Sequence, residues 1–180
     1  MFGLVGCLTP VIMVSYMEKT LVLLKPDAVQ RGIMGEILTR FEKAGLKVVG
    51  MKMVAPDEAH YHHHYETISK LASRRGEEVF KRNADFMMSG PVVAIAIEGV
   101  DAVSVVRKMV GETEPKSAAP GTIRGDYAHM TYGHANEKNS GLPNLIHASG
   151  DVKEAKEEII HWFSDQELFD YKTAHQYLTN

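Results

Sequence analysis

Thr20-Leu21-Val22-Leu23-Leu24-Lys25-Pro26-Asp27 constrains the architecture more than any other part of the chain. Residues 20–24 carry no charge and do not alternate between polar and apolar. A strand with one wet face would alternate, so this run reads as a strand buried on both faces. Pro26 stops it and biases Lys25 away from the helical region. Lys25 therefore stands at the carboxyl end of a central strand, where open α/β sheets commonly bind ligands. A lysine at a strand end more often simply faces solvent, so Lys25 needs company before it means anything.

Outward from that strand the periodicity changes. Residues 32–45 read as a helix with Ile33, Ile37, Leu38, Phe41 and Ala44 on one face and Gly45 positioned to end it. Residues 46–54 alternate around Val48, Val49, Met51 and Met53 and read as a second strand. Pro56-Asp57-Glu58 opens a helix on which Tyr61 and Tyr65 lie one turn apart. That helix also carries His60, His62, His63 and His64. His60 and His64 have the i, i+4 spacing of a metal pair, but no further ligand pattern completes a site, and a solvated face is the preferred reading. Residues 69–76, with Arg74 and Arg75, read as a loop, and residues 77–88 as a helix with Val79, Phe80, Ala84 and Met87 inward. Residues 91–97 form a third apolar strand. A helix capped by Asp101 runs to Val110 with Arg107 in its last turn. Residues 111–126 are too rich in Pro, Gly and small side chains to be regular, and loops of that length in compact domains are often functional. Residues 127–143 read as a polar and aromatic excursion. Leu145-Ile146-His147 is a short fourth strand, and a last long helix runs to Phe163.

The resulting order is that of an α/β (α+β) sandwich: a ferredoxin-like βαββαβ unit with a four-stranded antiparallel sheet and flanking helices, mainly on one face. Composition agrees. A chain of 180 residues, 44% apolar and 24% charged, suits one domain with a sizeable core, assigned to residues 17–180. Residues 1–16 are apolar, uncharged and lack the basic start of a signal peptide, and they read as an N-terminal extension of unclear role. The net charge of −3 gives no global reason to expect nucleic acid. The one cysteine, Cys7, cannot form an internal disulfide, which fits a reducing, cytoplasmic setting. No apolar run reaches the roughly 18 residues of a membrane span.

The chemistry concentrates around Asn144-Leu145-Ile146-His147-Ala148-Ser149-Gly150-Asp151. Asp151 and Glu154 have capping-box spacing, so His147 lies just ahead of a helix N-terminus, where free N–H groups and the dipole favour anions. Common nucleotide signatures are absent: GxxxxGK[ST], GxGxxG, HRD and DFG. What remains is a candidate nucleophile, His147, and three separated cations, Lys25, Arg107 and Arg124. Tyr65, Thr113, Asn144 and Ser149 supply possible hydrogen bonds. Phosphoryl transfer asks mainly for positioning and for neutralising the moving oxygens, and an imidazole attacks only when neutral. A non-catalytic nucleotide-sensing or nucleic-acid-binding module is the competing class. The joint presence of the histidine, the lysine and both arginines argues against a dead site, and no basic stripe interleaved with aromatics supports nucleic acid.

Five segments in order, Lys25-Pro26-Asp27-Ala28-Val29-Gln30-Arg31-Gly32, Ser89-Gly90-Pro91-Val92-Val93, Gly111-Glu112-Thr113-Glu114-Pro115, Pro120-Gly121-Thr122-Ile123-Arg124-Gly125-Asp126 and Asn144-Leu145-Ile146-His147-Ala148-Ser149, resemble the signatures of nucleoside diphosphate kinases. The resemblance covers about residues 18–163. It implies a ping-pong exchange of the terminal phosphate between nucleoside triphosphates and diphosphates, ATP and GTP among them. Mg²⁺ would be held mainly by the phosphates, without a protein metal site. It also implies a cytoplasmic homo-oligomer, a hexamer with tetramer or dimer as alternatives, and no membrane or nucleic-acid partner. By the same resemblance His147 takes the phosphate, Glu158 orients it and Ser149 is the neighbouring hydroxyl. Lys25, Tyr65, Arg107, Thr113, Arg124 and Asn144 contact nucleotide, with Val79 or Phe80 near the base-stacking position. The chain departs from the family pattern at Ala28 and at Gly150, where a glycine and an aspartate are usual. It is also longer than that pattern between Tyr65 and Phe80 and between Tyr127 and Pro143. A phosphohistidine donor to protein targets is the alternative within the same chemistry.

Overall fold

The computed structural model describes residues 16–71 and 75–179. The apolar extension, Tyr16 excepted, and Arg74 therefore lie outside the described residues. Strands β1 (Met17–Leu24), β2 (Lys47–Val54), β3 (Val92–Val100) and β4 (Ile146–Ala148) form one sheet in the order β2-β3-β1-β4. Every pairing is antiparallel, with Leu21 opposite Ala96 and Leu23 opposite His147. This is the expected ferredoxin-like arrangement. The helices are α1 (Pro26–Gln30), α2 (Met34–Lys43), α3 (Glu58–His62), α4 (Glu77–Met87), α5 (Ala102–Val110), α6 (Ile123–Tyr127), α7 (Tyr132–Glu137), α8 (Val152–Trp162) and α9 (Gln176–Thr179). α3 continues directly into a π-helical turn, His63–Ile68.

Successive residues of β1 point to opposite faces and both faces are covered. Leu21 and Leu23 join Ala94, Ala96, Tyr61, Phe80, Met87, Ile159 and Trp162 in one core, which packs α3, α4 and α8 against the sheet. Val22 and Leu24 join Ile95, Ile97, Ile37, Phe41, Val106 and Ile123 in the other, under α1, α2, α5 and α6. Helices mainly on one face is therefore wrong. The crossover helices α2 and α5 do share a face. The long β2–β3 connection and α8 supply a second cover, which a strand apolar on both sides requires.

Local signals hold or fail for identifiable reasons. Gly45, at φ +83, ends α2: its N–H bonds to the Glu42 carbonyl and that of Leu46 to the Phe41 carbonyl. Asp101 does not cap α5 with its side chain. It is held at φ 49 and ψ 37, and the Glu18 carboxylate accepts the Val103 N–H at 3.1 Å instead. A carboxylate from another strand thus replaces the local one. The excursion of residues 127–143 contains a helix, α7, capped by the Thr131 hydroxyl. Among the described residues no helix is long and apolar enough to cross a membrane.

Candidate active site

β4 ends at the mouth of a cavity of about 1230 Å³ whose lining includes Lys25, Tyr65, Arg107, Thr113, Arg124, Asn144 and His147. The approach to His147 is strained. Leu145 is fully buried at φ +71, and the Ile146 N–H closes on the Asn144 carbonyl at 2.8 Å in a tight turn. Lys25, just after β1, and Asp27, in α1, hold this turn: the Asp27 carboxylate accepts the Leu145 N–H, and the Lys25 N–H donates to the Leu145 carbonyl at 2.8 Å. The proline that stops β1 thus begins the short helix whose Asp27 fixes the turn beside His147. Burial raises the Asp27 carboxyl above the usual carboxylate range, and Lys25 partly offsets this.

Behind His147 the network is closed. Its Nε2 lies 2.9 Å from Glu158 Oε1, and the other carboxylate oxygen accepts the Ser149 hydroxyl at 2.6 Å. Ser149 Oγ in turn accepts the Leu21 N–H at 3.1 Å, tying the group to the central strand. Glu158 and Ser149 are fully buried. With Nε2 committed to a carboxylate, Nε2 carries the hydrogen and Nδ1 is the ring nitrogen with a free lone pair. Sequence spacing left open whether Glu158 folds back onto His147; it does so from the second turn of α8. Asp151 caps α8 by accepting the Glu154 N–H at 2.8 Å. The reciprocal bond runs from the Gly150 N–H to Glu154 Oε2 at 3.0 Å. An added Cβ at 150 would lie 2.4 Å from that carboxylate, the flexible end of Glu154, which would have to move and give up the bond.

The cations differ in how they are held. Lys25 is buried, donates to Asn144 Oδ1 at 2.7 Å, and is pushed down to about 8 by burial and then by Arg124, with Asp27 opposing. The Asn144 amide donates to the Thr113 carbonyl at 2.8 Å. Arg124 is also buried, and burial first, then Arg107, lowers it to about 10 against the pull of Tyr132, Asp27 and Glu112. Its guanidinium donates to the carbonyls of Asn144, Gly111 and Ile146. That leaves two of its five N–H groups for a ligand. α6 carries it because Thr122 caps the helix and Gly125 allows the backbone to pass Ala119, whose carbonyl oxygen an added Cβ would meet at 2.0 Å. Arg107 and Thr113 are exposed, and Arg107 makes one long bond to the Ser149 carbonyl at 3.5 Å.

At the outer end Val79 lines the cavity but Phe80 does not. One helical step turns Phe80 into the core with Tyr61 and Met87, so Phe80 is corrected from candidate base-stacker to core residue. Leu71 and Leu142 also line the cavity. α7 forms its wall, anchored by the Tyr132 N–H to Glu114 Oε1 at 2.9 Å and by Arg82 to Asn136 at 3.2 Å. Tyr65 is buried with its hydroxyl next to Asn83, and burial raises its pKa.

Sequence reasoning missed His64. Paired there with His60, it instead belongs to the site, while the His60 ring stacks on His161 at 3.8 Å between centroids. His64 is fully buried, its ring 4.7 Å from that of His147, and its Nδ1 accepts the Trp162 indole N–H at 3.2 Å. Burial, then His147, holds it well below the usual histidine range, so it is neutral. The available signal was position: Tyr61, His64, Tyr65 and Ile68 have the i, i+3, i+4, i+7 spacing of one buried face.

The family model described as nucleoside diphosphate kinase matches residues 18–168. A nucleoside diphosphate kinase of Borreliella burgdorferi is 42% identical over 156 residues, covering 87% of this chain and 93% of that protein. One of Pyrococcus horikoshii is 47% identical over 160 residues, covering 89% and 94%. Among solved structures, a transition-state mimic of the Borrelia burgdorferi enzyme with bound vanadate and ADP superposes with a TM-score of 0.86 at 41% identity, covering 89% of this chain and 95% of the other. A halophilic relative from Halobacterium salinarum in complex with CDP gives 0.76 at 41% identity, covering 89% and 96%.

Proposed function

The chain belongs to the nucleoside diphosphate kinase family, and on that premise we propose that it carries the terminal phosphate of a nucleoside triphosphate to a diphosphate on His147. The observation that carries this reading is the 2.9 Å contact between His147 Nε2 and the buried Glu158 carboxylate, in a cavity lined by Lys25, Arg107 and Arg124. Held this way, the imidazole presents Nδ1 as the nucleophile. In the first half-reaction the Nδ1 lone pair forms a bond to the terminal phosphorus and the bond to the bridging oxygen breaks, releasing a nucleoside diphosphate. The proton stays on Nε2, where the Glu158 carboxylate balances the positive charge developing on the ring. In the second half-reaction a different diphosphate takes the phosphate back through the reverse of these steps. Lys25, Arg107 and Arg124 neutralise the moving oxygens, Thr113 and Asn144 orient the phosphates and sugar, and Tyr65 closes the inner wall.

The acidic side chains at the cavity, Glu112, Asp151 and Glu154, suit a Mg²⁺ ion held by phosphates and water with one carboxylate. Asp151 and Glu154 each commit one oxygen to capping, which argues against a protein cage. When bound, Mg²⁺ offsets phosphate charge. The proposed setting is a cytoplasmic homo-oligomer acting on several nucleotides.

Incubation with γ-labelled ATP tests the reading. The native protein acquires an acid-labile label that GDP or UDP removes as the triphosphate, and His147→Ala acquires none. Retention of that label by His147→Ala overturns the assignment.

A further inference from the structure

Two imidazole nitrogens and a carboxylate oxygen converge beneath the reactive ring. Among the described residues, His64, His147 and Glu158 are the one group of three whose ligand atoms all lie within 4.8 Å of one another. Glu158 Oε1 is 2.9 Å from His147 Nε2 and 3.7 Å from His64 Nδ1. Zinc–ligand bonds of about 2.0–2.2 Å in a tetrahedron put ligand atoms roughly 3.3 Å apart, within that spread. We propose that these three groups form an inhibitory site for a borderline-soft divalent ion such as Zn²⁺. The ion's occupancy is independent of the functional reading above; its effect on transfer rests on it.

The protonation states favour the ion. The Trp162 indole donates to His64 Nδ1, so that nitrogen carries a lone pair and no hydrogen. The same nitrogen lies 3.7 Å from a carboxylate oxygen, and a cation between the two would take that lone pair in place of the indole hydrogen. With Nδ1 as the acceptor, Nε2 carries the hydrogen, which is the tautomer that Nδ1 coordination requires; that N–H is buried without a hydrogen-bond partner. Nitrogen-rich ligands select zinc-like ions over Mg²⁺, which prefers oxygen and retains its water.

The same coordination explains the inhibition. An ion on His147 Nε2 displaces the hydrogen that Nε2 donates to Glu158. In the neutral ring that hydrogen goes, through solvent, to Nδ1, with no net proton release. Nδ1 is the nitrogen that must attack phosphorus, so the metal-bound ring has no lone pair to offer. The ion silences the nucleophile by exchanging its tautomer, without occupying the nucleotide cavity.

Trp162 is the chain's one tryptophan and reports on the site. Nucleotide-free protein, stripped with a chelator, is titrated with zinc chloride by calorimetry and by indole emission, with magnesium chloride as control. One Zn²⁺ per chain should bind and shift the emission as the indole loses its acceptor, and labelling by γ-labelled ATP should fall in proportion until chelator restores it. His64→Asn keeps an acceptor for the indole and should weaken zinc binding at least about tenfold. His63→Ala, altering the surface stack of His60, His63 and His161, should leave it unchanged. Equal zinc binding in native protein and His64→Asn overturns the proposal, as does relief of inhibition by His63→Ala or undiminished labelling of the zinc-loaded protein. Labelling of the metal-free protein is read separately, so failure of the phosphate-transfer reading shows there and failure of the metal site in the calorimetry.

Discussion

At the inner end of the cavity Glu158, Ser149, Lys25, Asn144 and Arg124 are buried, and each is held by hydrogen bonds to one another or to the backbone of neighbouring strands and loops. At the outer end Arg107 and Thr113 are exposed, and the wall is a short helix, α7, braced by contacts such as Glu114 to Tyr132 and Arg82 to Asn136. Both ends meet the same ligand under the proposed function, yet only one is prearranged. Groups that stabilise developing charge work best when their orientation costs nothing at the moment of reaction. Groups that receive a base of variable size gain from adaptable walls. Under the proposed function the buried groups are thus fitted to the phosphorus chemistry common to all nucleotides, the exposed Arg107 and Thr113 join them on the phosphates, and the α7 wall meets the part in which nucleotides differ.

Two arginines give the widest test of this contrast. Arg124→Ala and Arg107→Ala should each cost on the order of 2–4 kcal/mol of transition-state stabilisation, read as a fall in kcat/KM. Only Arg124→Ala should also lower the melting temperature, by about 4–8 °C, because three carbonyls lose their donor. Equal melting of the two variants would erase the distinction between the ends. Glu158→Gln should slow labelling about 10- to 100-fold with little change in KM, since the amide neither stabilises the charged ring nor fixes its tautomer. Unchanged labelling would show that the inner network only packs.

Lys25 offers a pH test. Its pKa of about 8 lies below the unfolded value near 10.5, so its charged form is penalised on folding. Its contribution to stability is therefore unfavourable below pH 8 and is relieved as pH rises from 8 to 10.5. Phosphate binding wants the charged form, so KM for nucleotide should climb above pH 8, by at most about tenfold per unit, and Lys25→Met should flatten that limb. A KM that is level from pH 7 to 9 in the native protein would refute a binding role. The smallest effect is expected at the helix behind the site: Asp151→Ala should cost about 1 kcal/mol, a drop of about 2–4 °C, with kcat nearly unchanged.

Much of this was legible before any coordinates. The uncharged run of β1, the capping spacing of Asp151 and Glu154, and Gly45 at the end of α2 each depend on neighbours a few residues away, and each appears as read. The errors share a different origin. Asp101 loses its capping role to Glu18, which is distant in sequence. Phe80 and Val79 are adjacent, and which one faces the cavity depends on the rotation of α4 against the sheet. His64 looked like half of a surface pair with His60 until the π-turn and Trp162 drew it inward.

The sequence by itself determined the strand and helix order, the antiparallel sheet and the residue types of a phosphate-handling site, because these follow from periodicity, caps and short motifs. Only the tertiary structure decided that helices cover both faces, that Glu158 reaches His147 and leaves Nδ1 free, and that Arg124 is clamped while Arg107 is not. Those outcomes depend on groups far apart in the chain meeting in a buried place, where each polar atom must find whatever partner the packing brings within reach.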